Sequence, residues 1–201
     1  MKPYAEACER NRAPIADVLR DAFGGCAAVL EIASGTGQHA VYFGAQLPHL
    51  IWQTSELPEH HAGIAAWLAD AQLPNVLPPL ELDVNAAGWP AQRYDAVFTS
   101  NTLHIVGWSA VERMFAGIAR ALPAGGVLAV YGPFNYGGSF TSASNAQFDA
   151  WLKSRDAESG IRDFENVDAL ARSYGFALAQ DVAMPANNRT LVWRRLSESA
   201  S

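Results

Sequence analysis

The stretch Val29-Leu-Glu-Ile-Ala-Ser-Gly-Thr-Gly-Gln-His-Ala40 decides the fold. An apolar run that starts at Ala27 ends in Glu31 and Ile32. Small residues with Gly35 and Gly37 follow, and then a helical pattern opens. A strand that turns sharply through glycines into a helix offers close backbone approach and unpaired N–H groups to a ligand. The segment 35–40 also fits the dinucleotide pattern G-x-G-x-x-G/A, which by itself is a weak signal.

Outward from this turn, strand and helix patterns alternate. A helix is predicted over 14–23 with Pro14 in its first turn, where a missing N–H costs little. Strands are predicted over 27–32, 50–55, 77–84, 94–100, 127–132, 176–184 and 189–195. Helices are predicted over 37–47, 59–72, 108–122, 145–155 and 166–175. The clearest is 108–122, with Trp108, Val111, Met114, Phe115, Ile118 and Leu122 at helical spacing. The last two strands are joined by Pro185-Ala-Asn-Asn188, too short for a crossover helix, so they must be antiparallel. The expected fold is therefore α/β: a three-layer, Rossmann-like sandwich around a seven-stranded, mostly parallel sheet with an antiparallel last strand.

The chain has 201 residues, half of them hydrophobic and 17% charged, which fits one globular domain over 1–201. The net charge of −6 argues against a nucleic-acid backbone binder. No apolar run approaches membrane-spanning length and the first residues have no apolar signal core, so a cytoplasmic protein is expected. Cys8 and Cys26 lack metal-ligand spacing, and the five histidines are scattered, so no metal site is expected.

Ligands of such sheets sit at the carboxyl ends of the strands, where strand order reverses. Three acids are placed there. Glu31 lies just before the turn, where an anion would repel a pyrophosphate but suits the sulfonium and ammonium of S-adenosylmethionine. Glu56 ends the second strand, about 20 residues beyond the turn, where a carboxylate can accept both ribose hydroxyls. Asp83 ends the third strand and can accept an adenine amino group, with Val84 as an apolar wall. Each acid has a plainer role open to it: a helix-dipole partner, a solvated loop acid or a turn former.

The stretches ACERNRAPI (7–15), VLEIASGTGQHA (29–40), LDVNAAGWP (82–90), NTLHIVGW (101–108), ALPAGGVLAVYGPF (121–134), SNAQFDAWLKSRDAESGIRDFENV (144–167) and MPANNRTLVWRR (184–195) resemble the DUF938 subfamily of the class I, seven-strand S-adenosylmethionine-dependent methyltransferases. The resemblance spans nearly the whole chain. It implies the fold and the cofactor S-adenosyl-L-methionine, and no acceptor. Ala33 stands where the common acid-x-Gly-x-Gly-x-Gly loop has its first glycine, so the turn is expected to avoid positive φ there. Ala33 and Ser34 join Gly35 and Gly37 as expected cofactor contacts.

Methyl transfer needs alignment and exclusion of water more than an obligatory triad. After the fourth strand, Asn101 can hold cofactor or acceptor. His104 either takes the acceptor's proton or begins the next helix. After the fifth strand, Tyr131, Phe134, Asn135 and Tyr136 can wall a pocket, with Tyr136 as a further catalytic candidate, and the following glycines can let the loop close. Asn187, Asn188 and Arg189 lie at the last turn, on the same rim, as substrate contacts or as a turn that satisfies positive φ. Cys8, Arg10 and Asn11 precede the first predicted helix. Arg10 and Asn11 can fold over the cofactor, or the segment is a charged helix entrance. The expected partner is a small-molecule methyl acceptor. The alternatives are a non-catalytic module that binds S-adenosylmethionine or a protein partner, and an NAD(P)-dependent oxidoreductase. The last lacks a Tyr-x-x-x-Lys pair at Tyr131 or Tyr136.

Overall fold

A computed structural model of the protein describes residues 2–86 and 88–197. In chain order its elements are α1 (Glu6–Ala22), β1 (Ala28–Ile32), α2 (Gln38–Gln46), β2 (Ile51–Glu56), α3 (Pro58–Ala71), β3 (Val76–Glu81), β4 (Ala96–Ser100), α4 (Trp108–Ala121), β5 (Val127–Gly132), β6 (Phe134–Asn135), α5 (Ala143–Arg155), β7 (Arg162–Asp163), α6 (Phe164–Ser173), β8 (Phe176–Met184) and β9 (Asn188–Arg195). Seven strands form one sheet in the order β3-β2-β1-β4-β5-β9-β8, and β6 and β7 pair in a small parallel ribbon. Strands β1 to β5 run parallel, while β9 is antiparallel to both β5 and β8.

The order reverses between β1 and β4, so the chain leaves these neighbours toward opposite edges and opens a crevice at their carboxyl ends. Alternation along the strands sends side chains to two cores. Leu30, Ile32, Val97, Leu128 and Val130 meet Val111, Phe115 and Ile118 of α4 and Val167 of α6 on one face. Val29, Trp52, Phe98 and Ala129 meet Ile15 and Leu19 of α1 and Phe43 of α2 on the other. β5 is buried throughout, as its uninterrupted apolar run requires of a strand covered on both sides.

Three local expectations are corrected. The first helix begins at Glu6, not Pro14, which lies inside it. Glu6 and Glu9 place negative charge at the N-terminal turn, and the Glu6–Arg10 and Glu9–Arg12 pairs run along the helix. Cys8, Arg10 and Asn11 are therefore helical. The third strand stops at Glu81, so Asp83 lies beyond it in a turn where its Oδ1 accepts the Asn85 N–H at 2.8 Å. Ala33 adopts a φ of +58°, the conformation that an alanine was expected to avoid. Hydrogen bonds between Ser34 and Ser55 hold the turn in that shape.

Candidate active site

The turn after β1 is built by backbone conformation. Gly35 (φ +56°) and Gly37 (φ +87°) join Ala33 in the left-handed region, which costs L-residues about 1–2 kcal/mol each and glycine almost nothing. The Ser34 N–H donates to the Ser55 carbonyl at 2.9 Å, the Ser55 N–H to Ser34 Oγ at 3.2 Å, and Ser55 Oγ to the Glu31 carbonyl at 2.6 Å. At Gly37 a side chain would stand 3.1 Å from Ile64 Cα, a tight contact that would press α3 back from the turn.

Glu31 lies beneath this turn and is 2% exposed. Trp52 Nε1 donates to its carboxylate at 3.0 Å. No salt bridge to it forms among the described residues. Burial pushes its pKa up to about 7, against the pull of Trp52 and Ser34, and the charge of Glu56 adds to the rise. Cys8 of α1 is close enough for Glu31 to add to the effect of burial, which raises the thiol to about 11. Glu56 accepts the Gly35 N–H at 2.9 Å through one oxygen and the Leu57 N–H at 2.9 Å through the other. Two acids of the expected set are thus joined to the turn. Asp83 stands apart in its own turn, and Val84 packs against the core on the α4 side.

A second cluster lies at the ends of β4 and β5. A cavity of about 620 Å³ is lined by Arg10, Asn11, Asn101, His104, Tyr131, Asn145, Phe148, Trp151 and Asn188, among others. Asn101 takes the left-handed region (φ +57°), which an Asn side chain tolerates better than most. A Cβ at Gly132 would lie 3.6 Å from His104 Nδ1 and 3.9 Å from Asn101 Oδ1, so both polar side chains stand over this glycine. His104 is 5% exposed, and Phe148 packs edge-on to it at 5.3 Å. It lies ahead of α4 and does not begin that helix. Burial, and then the charge of Arg162, lower its pKa to about 4, so the ring is neutral near pH 7. Asn11 enters from α1, its Oδ1 2.7 Å from His39 Nε2, and burial lowers His39 to about 4 as well.

Several expected residues lie elsewhere. Tyr136 donates its hydroxyl to Asp181 Oδ2 at 2.9 Å, while Arg189 Nε donates to the other oxygen at 2.7 Å. Burial and Asp181 raise the Tyr136 pKa, which makes the phenol a donor and a poor base. These two residues and Asn187 line a separate cavity of about 460 Å³, and Asn188 borders both cavities. Phe134 is not a pocket wall: pairing of β6 with β7 leaves it 1% exposed in the core. Asn135 is buried beside it, with its Nδ2 toward the Ile161 carbonyl. At the last turn Ala186 and Asn187 adopt positive φ, while Asn188 does not. The sequence reading missed Asn145, Phe148 and Trp151 of α5 and His39 of α2. Phe148 and Trp151 are three residues apart, so they share a helix face, and their rings stack at 5.7 Å.

The same architecture occurs in solved structures. An O-methyltransferase family protein from Burkholderia thailandensis matches with a TM-score of 0.81 at 18% identity, over 96% of this chain and 59% of that one. PigF with SAH matches at 0.79 and 20% identity, over 91% and 55%. Human N-acetylserotonin methyltransferase in complex with SAM matches at 0.72 and 14% identity, over 92% and 55%. The chain spans a little over half the length of these proteins and shares their class I methyltransferase-like fold. Residues 2–195 match the profile described as protein of unknown function (DUF938), and the chain belongs to that family.

Proposed function

We propose that the glycine turn binds S-adenosylmethionine and that the chain transfers its methyl group to a small-molecule acceptor in the cavity of about 620 Å³ beside His104. The observation that carries this reading is Glu31: a carboxylate 2% exposed, beneath a left-handed turn, with no salt bridge to it among the described residues. A buried acid of this kind is costly unless a positive group meets it, and a sulfonium or ammonium answers that need. A pyrophosphate would add a second negative charge above it.

S-adenosylmethionine supplies a methyl carbon activated for in-line displacement. The chain's residues bind, orient and manage a proton. Glu31 supplies negative charge from below. Glu56 fixes the Gly35 N–H and keeps lone pairs for ribose hydroxyls. Asp83 and Val84 flank the adenine side, and Arg10 and Asn11 of α1 offer donors to a carboxylate. Asn101 orients the acceptor, and neutral His104 receives its proton as the new bond forms. Tyr136 and Arg189 secure the outer hairpin through Asp181, and Asn187 and Asn188 shape its turn.

Calorimetric titration with S-adenosylmethionine, S-adenosylhomocysteine and NAD tests the reading. It expects saturable heats with the first two and none with NAD. Binding of NAD alone would overturn it. Tight product binding without turnover across acceptor panels would favour a non-catalytic module.

A further inference from the structure

The hydrogen-bonding inventory of the cavity beside His104 is lopsided, and the imbalance identifies what fits there. Asn145 is 5% exposed and lines the cavity. Its Nδ2 donates to Thr141 Oγ1 at 2.9 Å and to the Asn187 carbonyl at 3.2 Å. A backbone carbonyl only accepts, so the amide orientation is fixed and both of its N–H groups are consumed. Its Oδ1 makes no hydrogen bond among the described residues. Asn188 repeats the arrangement. Its Nδ2 donates to the carbonyls of Pro185 and Ala186 at 3.2 and 3.3 Å, and its oxygen makes no hydrogen bond among the described residues. Asn101 also lines the cavity, and neutral His104 adds one ring lone pair and one ring N–H. On this side the cavity accepts.

Charge narrows the ligand further. No Asp, Glu or Lys lines the cavity among the described residues, and its one cation, Arg10, faces solvent and pairs with Glu6 at 3.2 Å. A protonated amine would find no counter-ion here, and an anion on the Asn145 and Asn188 side, away from Arg10 and Asn11, would meet side-chain oxygens. Phe148 and Trp151 supply a flat apolar wall.

We infer that this cavity binds an uncharged ring compound bearing two or more hydroxyl groups, held through the side-chain oxygens of Asn145 and Asn188, with one hydroxyl at His104. The inference deepens the methyl-acceptor reading and rests on it only for the meaning of the cavity.

The test is a binding ladder on one ring, measured by calorimetry with the full chain, with and without saturating S-adenosylhomocysteine. The probes are anisole, phenol and resorcinol, with benzylamine and benzoate as charged arms and methyl glucoside as a carbohydrate arm. Each added hydroxyl is expected to tighten binding roughly threefold to tenfold. Both charged probes are expected to bind more weakly than phenol. Resorcinol ahead of methyl glucoside identifies an aryl ligand, and the reverse order a sugar. Asn145→Leu, checked for folding by circular dichroism, should remove that gain and bring resorcinol to within about twofold of phenol. Equal affinities along the ladder, tightest binding by benzylamine or benzoate, or no binding by any probe overturns the inference. Failure of S-adenosylhomocysteine to bind overturns the methyltransferase reading instead, and the ladder without it still decides this one.

Discussion

Glu31 concentrates the conflict between stability and binding. Its folded pKa, about 7, lies above the ordinary 4.5, so the native state binds more protons than the unfolded chain between those values. The resulting stabilisation is complete below about pH 4.5 and lost as pH rises through about 7. Glu31→Gln removes that penalty. Its unfolding free energy at pH 8, by urea titration, should exceed that of the wild type by about 1–3 kcal/mol, and the advantage should vanish near pH 4.5. His39 and His104 work in the opposite sense, since both are lowered from 6.5 to about 4. Their contribution is present above about pH 6.5 and lost as pH falls through about 4. His104→Ala should therefore flatten the acid limb of the stability profile, leave affinity for S-adenosylhomocysteine within about twofold, and reduce turnover by about 10²-fold or more once an acceptor is found. Glu56→Ala should weaken cofactor binding by about 1–3 kcal/mol, because buried hydroxyls and the Gly35 N–H lose a charged partner. An acid in an apolar strand is visible in a sequence, and so was its place at the turn. The positive φ of Ala33 was not, because bonds between Ser34 and the distant Ser55 outweigh the local preference of an alanine.

Among the elements, those with strong periodicity were read nearly to the residue. α4 starts at Trp108 as expected, and β5 and β8 keep the predicted bounds. The errors lie where tertiary contacts override a local signal. Pro14 marked a helix start, yet contacts from the neighbouring α2 hold the earlier turn: Gln38 accepts from the Ala5 N–H at 2.6 Å and donates to Glu9 at 3.2 Å. The α5 face was missed because its aromatic pair points to a cavity that longer-range folding creates. Gly117 of α4 shows a seat of the same kind. A side chain there would lie 1.9–2.3 Å from the Trp89 ring. Gly117→Ala should displace Trp89 and cost about 1–3 kcal/mol of stability, as overpacking does. Because Trp89 anchors the loop that bears Asp83 and Val84, the same variant should also weaken S-adenosylmethionine binding. Thermal melts and titrations check the two effects separately, and a variant as stable as the wild type would deny Trp89 that role.

At the scale of the molecule, alternating strand and helix signals and a short final connection were enough to foresee a mainly parallel sheet with its last strand reversed. The observed sheet order sets β1 and β4 side by side with the glycine turn at their ends. The cavity beside His104 was less legible, because its lining is drawn from α1, the segment after β4, β5, α5 and the last turn. Such a cavity belongs to the assembled fold and leaves no contiguous motif. The central claim is that Glu31 supplies the charge that meets a cationic ligand. It is tested most directly by the affinity for S-adenosylmethionine between pH 5.5 and 7.5, in the wild type and in Glu31→Gln. Wild-type affinity should rise by about fivefold to tenfold as Glu31 ionises, and the variant should bind at least about tenfold more weakly at pH 7.5 with a flat profile. Equal affinity and the same pH profile in the two proteins would contradict it.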